Sequence, residues 1–225
     1  MKEKILWICP SRERPDRLEH LIKSWYKTTS GYSTLLVVKD SNDNSYDKLV
    51  NDYPEVFWKT TEPPIFGSFL SIINAQAIEY ADQYQYIGFM EDDIVFETIG
   101  YEIDFISKLK ELGKTGIVHA KDGIEHSSLL TIPVVNSYII RTLGWFSPPE
   151  LRSLWADNFW RDMANHLGTY YKFENIMIRH NHYSTSSTIP KDHISKVVDK
   201  NHRIDGKNYK KYKDNYFLED MKKLK

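Results

Sequence analysis

Three consecutive acids separate two apolar runs in residues 86–96, which read YIGFMEDDIVF. The adjoining carboxylates of Glu91, Asp92 and Asp93 repel one another and are unfavourable to desolvate. They are therefore expected at the end of a buried strand, facing a cation. Carboxylate oxygens suit Mg²⁺ and Mn²⁺, which keep positions open for substrate phosphates. The alternative for an isolated EDD sequence is a solvated acidic turn between two strands.

Strands and helices alternate along the first half of the chain. An apolar strand over residues 4–9 precedes a helix with four apolar side chains at i, i+3, i+4 and i+7, namely Leu18, Leu21, Ile22 and Trp25. Further strands are predicted over residues 35–38 and 56–59 and at the run that ends in EDD, and a late strand over 170–178. This order predicts an α/β fold with a mainly parallel, Rossmann-like central sheet flanked by helices.

Composition narrows the class of protein. The 225 residues suffice for one substantial core, and 30 basic against 31 acidic side chains give a formal charge of −1, so no global field attracts nucleic acid or anionic lipid. The single cysteine, Cys9, lies in an apolar run and is expected to be a buried, inert thiol. No N-terminal apolar run is long enough for a secretion signal, and none has the roughly 18 residues that a spanning helix needs. These features predict a cytoplasmic protein, in the host cytoplasm if viral, without an integral membrane segment.

The chain divides into an α/β domain over residues 1–188 and a Lys- and Tyr-rich tail over 189–225. Residues 207–225 contain seven Lys and three acids, a local charge of about +4. A solvated helical tail is the expectation for such a segment, and a basic binding arm is the alternative.

Polar side chains follow several of the predicted strands, and ligands of open parallel sheets bind beyond the carboxyl ends of the strands. The residues delivered there are Pro10, Ser11, Arg12, Arg14, Asp40, Asp92, Asp93, His180 and His182. Arginines engage phosphate in forked geometry, an aspartate accepts from a base or ribose hydroxyl, and carboxylate with imidazole holds a metal. Together they are the parts of a nucleoside diphosphate site. Individually, the arginines can be surface charges, Asp40 a turn former, and either histidine a hydrogen-bonded strand end.

Four segments in this order resemble GT-A-type glycosyltransferases, particularly the small single-domain enzymes predicted in bacteriophage genomes. They are PSRERPDRLEHLIKSW, the strand that ends in EDD, LGWFSPPELRSLWADNFW and RHNHY, and the match spans about residues 5–185. The resemblance implies a nucleotide-diphospho-sugar transferase fold. It also implies an enzyme that transfers a monosaccharide from a nucleotide-sugar donor to a hydroxyl acceptor, with Mn²⁺ or Mg²⁺ held by a DxD-like motif.

The resemblance also implies roles for individual residues. Asp93 is the first candidate metal ligand, Asp92 a partner on ribose or metal, and Asp40 a base or ribose contact. Pro10, Ser11, Arg12 and Arg14 lie where the first loop of the family covers the nucleotide. His180 or His182 supplies a further metal ligand. Glu91 stands where a strict DxD has its first Asp, which leaves ligation by Glu91 open.

An inverting transfer needs a carboxylate that takes the proton from the attacking hydroxyl, and Asp157 is the candidate. It opens a helix over residues 155–167, three residues before Trp160, which directs it toward the packed face. The alternative is an N-cap, for which Asp is a preferred residue. A retaining enzyme would leave Asp157 only to orient the acceptor. Trp155 is a candidate for stacking on a sugar ring. Asp122 and His126, in the loop after another strand, are candidates for bordering the donor sugar.

Two other functions use similar parts. A sugar nucleotidyltransferase also joins a metal, a nucleotide and an α/β sheet, but its first loop normally contains glycine for close approach to phosphates, and PSRERP has none. The other is a noncatalytic module that binds a nucleotide or a sugar. The acceptor is not indicated and ranges from a glycan, a protein or a small molecule to a modified DNA base.

Overall fold

A computed structural model of the chain describes residues 1–63, 68–124, 128–181 and 191–225. The strands in these ranges are β1 (Lys2–Ser11), β2 (Ser33–Asp40), β3 (Phe57–Thr61), β4 (Tyr84–Phe89), β5 (Ile94–Phe96), β6 (Ile117–Lys121), β7 (Val134–Asn136) and β8 (Tyr170–His180). The α-helices are α1 (Pro15–Thr28), α2 (Asp47–Asp52), α3 (Phe69–Tyr80), α4 (Tyr101–Leu112), α5 (Ser137–Leu143), α6 (Ala156–Leu167), α7 (His193–Asn215) and α8 (Phe217–Leu224). Within these ranges no helix has both the length and the apolar character needed to cross a membrane.

The strands form one sheet in the order β3-β2-β1-β4-β7-β6-β8-β5. Strands β1, β2, β3 and β4 pair in parallel, as do β6 and β8. Strand β7 runs antiparallel to both of its neighbours, and β5 runs antiparallel to β8. The prediction of an α/β fold with a mainly parallel central sheet is therefore confirmed.

Helices cover both faces of the sheet because successive side chains of a strand point to opposite sides. In β1, Ile5 and Trp7 belong to a core cluster with α1 and α4, while Leu6 and Ile8 belong to a second cluster with α3, α5 and α6. Helix α1 starts at Pro15, whose fixed φ favours the first helical position. Its buried face contains the four apolar residues that the spacing predicts.

Strand β4, which leads to the acidic segment, lies closely against β1. A Cβ at Gly88 would lie 2.4 Å from Cζ3 of Trp7, so the indole ring covers the backbone of β4 at this point. Trp7 is fully buried and donates from Nε1 to the hydroxyl of Tyr101 at 2.8 Å. Because Gly88 has no side chain, the large buried ring of Trp7 packs directly against the strand that leads to the candidate site.

The C-terminal segment is helical, as predicted, but the expectation of a solvated tail is wrong for one face of it. Helices α7 and α8 bury five side chains in the same cluster as Phe159 and Trp160 of α6, namely Tyr209, Tyr212, Phe217, Met221 and Leu224. Burial of aromatic and aliphatic surface fixes the helices on the sheet domain, while the seven lysines face solvent. The expected boundary at residue 188 lies outside the described residues.

Candidate active site

The acidic segment follows a strand in the middle of the sheet. Strand β4 ends at Phe89, the backbone N–H of Met90 still donates to the carbonyl of Ile8 at 3.0 Å, and the three acids then link β4 to β5. Asp92 and Asp93 are only 4% and 7% exposed, and Glu91 is half-buried. The predicted strand-end position is confirmed, and burial of two of the three acids argues against a solvated turn.

His180 meets two of these acids from the strand next to the far edge of the sheet. It is the last residue of β8 and pairs in register with Ile94 of β5. Its Nε2 lies 3.2 Å from Oδ1 of Asp93 and 3.6 Å from Oε2 of Glu91. One ligand atom from each of the three residues lies within 4.8 Å of the others. Burial opposes protonation of His180, but the two carboxylates outweigh it and raise the pKa of His180 to about 10.

This cluster of Glu91, Asp93 and His180, here called the acid–histidine cluster, fits a divalent metal. Two carboxylates and one imidazole suit Mn²⁺ better than Mg²⁺, which favours a shell of oxygen ligands. Glu91, whose ligation the sequence left open, lies within the cluster because its longer side chain reaches His180. The other histidine candidate, His182, lies outside the described residues.

Asp92 has different partners. Its Oδ2 accepts from the hydroxyl of Ser11 at 2.8 Å, and its Oδ1 accepts from Nη1 of Arg14 at 3.2 Å. Burial raises the pKa of Asp92 to about 6, although the charge of Arg14 opposes the shift. Asp92 therefore anchors the loop after β1, whereas the neighbouring Asp93 belongs to the acid–histidine cluster.

The loop after β1 and the end of β2 meet beside these acids. Arg12 Nη1 donates to Oδ2 of Asp40 at 2.7 Å, and burial raises the pKa of Asp40 in spite of that charge. Glu13 adopts a φ of 53°, and its backbone N–H donates to Oδ2 of Asp43 at 2.8 Å. The structure thus brings Arg12 and Asp40 together at the carboxyl end of the sheet, where the sequence predicts a nucleotide.

A cleft of about 260 Å³ opens over this edge of the sheet. All six residues predicted to bind the donor nucleotide line it, namely Pro10, Ser11, Arg12, Arg14, Asp40 and Asp92. Glu91 and Asp93 of the acid–histidine cluster also line it. Apolar side chains complete the wall, including Val38, Phe69 and Ile72 from the sheet domain and Ile194, Val197 and Val198 from α7.

Helix α7 is joined to the cleft by a charged contact that no pattern in the sequence predicts. Asp192, the N-cap of α7, accepts from Nε and Nη2 of Arg14 at 2.9 and 2.7 Å and pairs with Nη2 of Arg17 at 3.2 Å. Burial favours a raised pKa for Asp192, but the forked arginine and the donors of Ser195 lower it overall. The capping sequence Asp-His-Ile-Ser predicts where the helix starts, but not that the cap pairs with residues near the other end of the chain.

Replacement of Arg14 by lysine is expected to lower the free energy of unfolding by about 1–3 kcal/mol. A single ammonium cannot reproduce the fork that reaches Asp92 and Asp192, so carboxylate oxygens of the buried Asp92 and the half-buried Asp192 lose donors. The matched control is Arg179→Lys, because Arg179 pairs with Glu97 at the exposed surface, where about 0.5 kcal/mol is expected. Urea unfolding followed by circular dichroism measures both. Equal losses in the two variants would contradict the proposed importance of the fork.

The candidate base Asp157 lies in the first turn of α6. The N-cap of this helix is Trp155 and not Asp157, and the Asp157 carboxylate accepts from the backbone N–H of Asn158 at 2.9 Å. The N-cap alternative therefore does not describe Asp157. Burial raises the pKa of Asp157, and the charge of Glu91 raises it further. Asp157 is not among the residues that line the cleft.

The two residues predicted to contact the sugar have firm protein partners. The Trp155 indole donates to the carbonyl of His202 at 3.1 Å and packs against Tyr209, both on α7. Asp122 is buried, and its carboxylate accepts from the backbone N–H of Ile124 at 2.9 Å and the hydroxyl of Thr131 at 2.8 Å. Neither is among the residues that line the cleft.

Asp122 nevertheless supports the acid–histidine cluster through its backbone, because its carbonyl accepts from the backbone N–H of His180 at 2.8 Å. The backbone N–H of Asn181 donates to the carbonyl of Asp93 at 3.0 Å. These bonds fix the end of β8 beside the acids. His126, the other predicted neighbour of the donor sugar, lies outside the described residues.

No protein-family model matches the chain, and no curated protein is similar to it in sequence. Among solved structures, the S. aureus TarS fragment 1–349 in complex with UDP-GlcNAc is similar, with a TM-score of 0.62 and 14% identity over 83% of this chain and 61% of that one. Another TarS structure is covered over only 36% of its length. The chain therefore spans less than two thirds of these TarS structures.

Two further structures share the architecture. Mannosyltransferase PcManGT from Pyrobaculum calidifontis, in complex with GDP-Man and Mn²⁺, has a TM-score of 0.61 and 11% identity over 98% of this chain and 72% of that one. GalNAc-T7 with UDP, GalNAc and Mn²⁺ has a TM-score of 0.60 and 10% identity over 79% and 43% of the two chains. With its mostly parallel sheet and flanking helices, the protein has the GT-A glycosyltransferase fold.

Proposed function

We propose that the protein is a metal-dependent glycosyltransferase that moves a monosaccharide from a nucleoside-diphosphate sugar to a hydroxyl acceptor. The observation that carries this proposal is the acid–histidine cluster, two of whose members line a cleft together with all six predicted nucleotide-binding residues. The similar structures contain UDP-GlcNAc, GDP-Man with Mn²⁺, and UDP with GalNAc and Mn²⁺. Their ligands support a nucleotide sugar as the donor.

The walls of the cleft suggest how the donor lies. Its apolar side chains, such as Val38 and Ile72, suit the faces of a nucleobase, and the buried carboxylate of Asp40 suits a base or ribose donor group. The diphosphate then lies toward Glu91, Asp93 and His180. Glu91, Asp93 and His180 would hold a Mn²⁺ ion, whose charge would stabilise the departing diphosphate.

Asp157 is the proposed general base of an inverting transfer. Its carboxylate takes the proton of the acceptor hydroxyl while the hydroxyl oxygen bonds to the anomeric carbon. The bond from that carbon to the diphosphate oxygen breaks, and the diphosphate leaves with the electron pair. Burial raises the pKa of Asp157 and so makes its carboxylate a stronger base than an exposed aspartate. Trp155 and Asp122 remain candidates for contacts with the acceptor or the donor sugar. The resemblance to bacteriophage enzymes stays a prediction from sequence.

Release of nucleoside diphosphate tests the proposal. The protein is incubated with UDP-Glc, UDP-Gal, UDP-GlcNAc, UDP-GalNAc and GDP-Man, each with MnCl₂ and with EDTA, and free UDP or GDP is measured. We expect at least one donor to be turned over with Mn²⁺ and not with EDTA, since water is a poor but available acceptor. Calorimetric binding of donors without any release would instead favour a noncatalytic module. Pyrophosphate formation from a nucleoside triphosphate and a sugar 1-phosphate would favour a nucleotidyltransferase.

A further inference from the structure

One carboxylate of α7 holds the segment that leads into the helix of the candidate base. Asp205 has 0% exposure, its Oδ1 accepts from the backbone N–H of Arg152 at 3.0 Å, and its Oδ2 accepts from those of Ser153 and Leu154 at 2.9 Å each. Hydrogen bonds to a charged acceptor are roughly twice as strong as neutral ones. Three of them on one buried group therefore fix the path of residues 152–154.

Neighbours of Asp205 on the same face of α7 extend this anchor. Nδ2 of Asn201 donates to the hydroxyl of Ser153 at 3.0 Å, and the carbonyl of His202 accepts from the Trp155 indole at 3.1 Å. Gly206 leaves room for that indole, because a Cβ there would lie 3.0 Å from Cζ2 of Trp155. Residues 152–155 thus lie against α7 along their whole length.

The anchored segment determines where α6 begins. Trp155 has a φ of 72°, a left-handed conformation that is unfavourable for a bulky side chain and persists only when its surroundings hold it. Helix α6 starts at the next residue, and Asp157 lies in its first turn. A change in the backbone at residues 152–154 therefore displaces the carboxylate of Asp157.

We propose that Asp205 is a positioning residue that sets the Asp157 carboxylate for transfer. The proposal rests on the proposed function, since it gives Asp157 the role of base. Asp205 is not among the residues that line the cleft, so it acts through residues 152–155, of which Leu154 lines the cleft. Loss of its charge should change the rate of transfer more than the affinity for the donor.

The test is Asp205→Asn. In either orientation the new amide directs an NH₂ group at a backbone N–H that now donates to the carboxylate, so part of the anchor is lost. We expect kcat for the turned-over nucleotide sugar to fall about 10- to 100-fold, because small misplacements of a reacting group have effects of this size. KM for that donor and the calorimetric Kd of UDP or GDP with Mn²⁺ should stay within about twofold. Backbone amides of residues 152–154 should exchange hydrogen faster.

Tyr212→Phe is the matched control, because Tyr212 lies on the same helix and its buried hydroxyl donates to Oδ2 of Asp220 at 3.0 Å, away from residues 152–155. It should lower Tm without changing kcat or exchange at residues 152–154. If Asp205→Asn does not fold, Asn201→Ala replaces it, since it removes the bond to the Ser153 hydroxyl and should also lower kcat at unchanged KM.

Three results would overturn the inference. They are a normal kcat in a folded Asp205→Asn protein, a loss of kcat no greater than in Tyr212→Phe, and unchanged hydrogen exchange at residues 152–154. Failure of the proposed function looks different, because wild-type protein would then release no UDP or GDP from any donor. In that case the role of Asp205 in transfer falls with it, and faster exchange would identify Asp205 as a structural anchor alone.

Discussion

Asp157→Asn is expected to lower donor turnover by about 10² to 10⁴, the usual contribution of a general base. The amide cannot accept the hydroxyl proton, but it keeps the shape of the side chain and can still accept from the backbone N–H of Asn158. Because Trp155 is the N-cap of α6, no capping bond is lost. The effect on the free energy of unfolding should stay within about 1 kcal/mol, the size of one charge near a helix N-terminus. Calorimetry with UDP or GDP and Mn²⁺ should give a Kd close to wild type.

Asp162→Asn is the matched control on the same helix. The Asp162 carboxylate accepts from Arg161 and from the hydroxyl of Tyr209 at 2.8 Å. Its replacement should lower the free energy of unfolding by about 1–2 kcal/mol and leave turnover near normal. Asp157→Asn is thus expected to lower turnover with little change in stability, and Asp162→Asn to lower stability with little change in turnover. Near-normal turnover in folded Asp157→Asn protein would reject Asp157 as the base and favour a retaining mechanism.

Asp93→Asn is expected to remove the metal dependence of nucleotide binding. The substitution takes one charge from the acid–histidine cluster and keeps its shape. Loss of a residue that only supports metal ligands already costs about 10- to 100-fold in metal affinity, so a ligand itself should cost at least as much. Titration of UDP or GDP with and without Mn²⁺ measures the effect. Wild-type protein should bind more tightly with Mn²⁺, whereas the Asp93→Asn protein should show little difference.

Glu97→Gln provides the control for charge alone, since Glu97 lies four residues on and pairs with Arg179 at the exposed surface. It should keep full metal dependence. Glu91→Gln tests the residue whose role the sequence left open, and its position 3.6 Å from His180 leads us to expect a loss comparable to that of Asp93→Asn. Unchanged Mn²⁺ dependence in Asp93→Asn would remove Asp93 from the ligand set.

The sheet and the strand ends were predictable because simple periodicities specify them. Apolar runs that end at Ser11, Asp40 and Phe89 give parallel strands, and parallel strands bring their carboxyl ends to one edge. That rule placed Arg12 and Asp40 together before any contact was known. It also placed His180 beside Asp93, although β8 lies three strands from β4 in the sheet.

The packing of helix α7 against the rest of the protein was not predictable in the same way. Its buried face carries Asn201 and Asp205 beside Tyr209 and Tyr212 at spacings of four, four and three residues. The polar residues interrupt the apolar periodicity that would identify a buried helix face. In a sequence, a buried Asp cannot be told from a solvated one, because its hydrogen-bond donors are not known. The clue available in the sequence was the spacing of the two tyrosines with these polar residues.

The assignments of Trp155 and Asp122 show a related limit. Sequence position alone put both near the sugar, while the structure gives each a set of protein partners. Short-range patterns show which side chains can make polar contacts. For Trp155 the choice among competing partners depends on His202, 47 positions away. The Asp122 carboxylate instead bonds to Ile124 and Thr131, which lie in the loop that follows it.

The pairing of Arg14 with Asp192 joins residues 178 positions apart in the chain. During synthesis at about 5–20 residues per second, β1 to β4 leave the ribosome well before α7. Until then the cleft beside Arg14 lacks the side chains that α7 contributes to its wall, so the cleft is completed last. Folding of the nucleotide site should therefore lag behind formation of the sheet, and a nascent chain that stops before His193 should expose its acidic segment to the translation machinery and to chaperones.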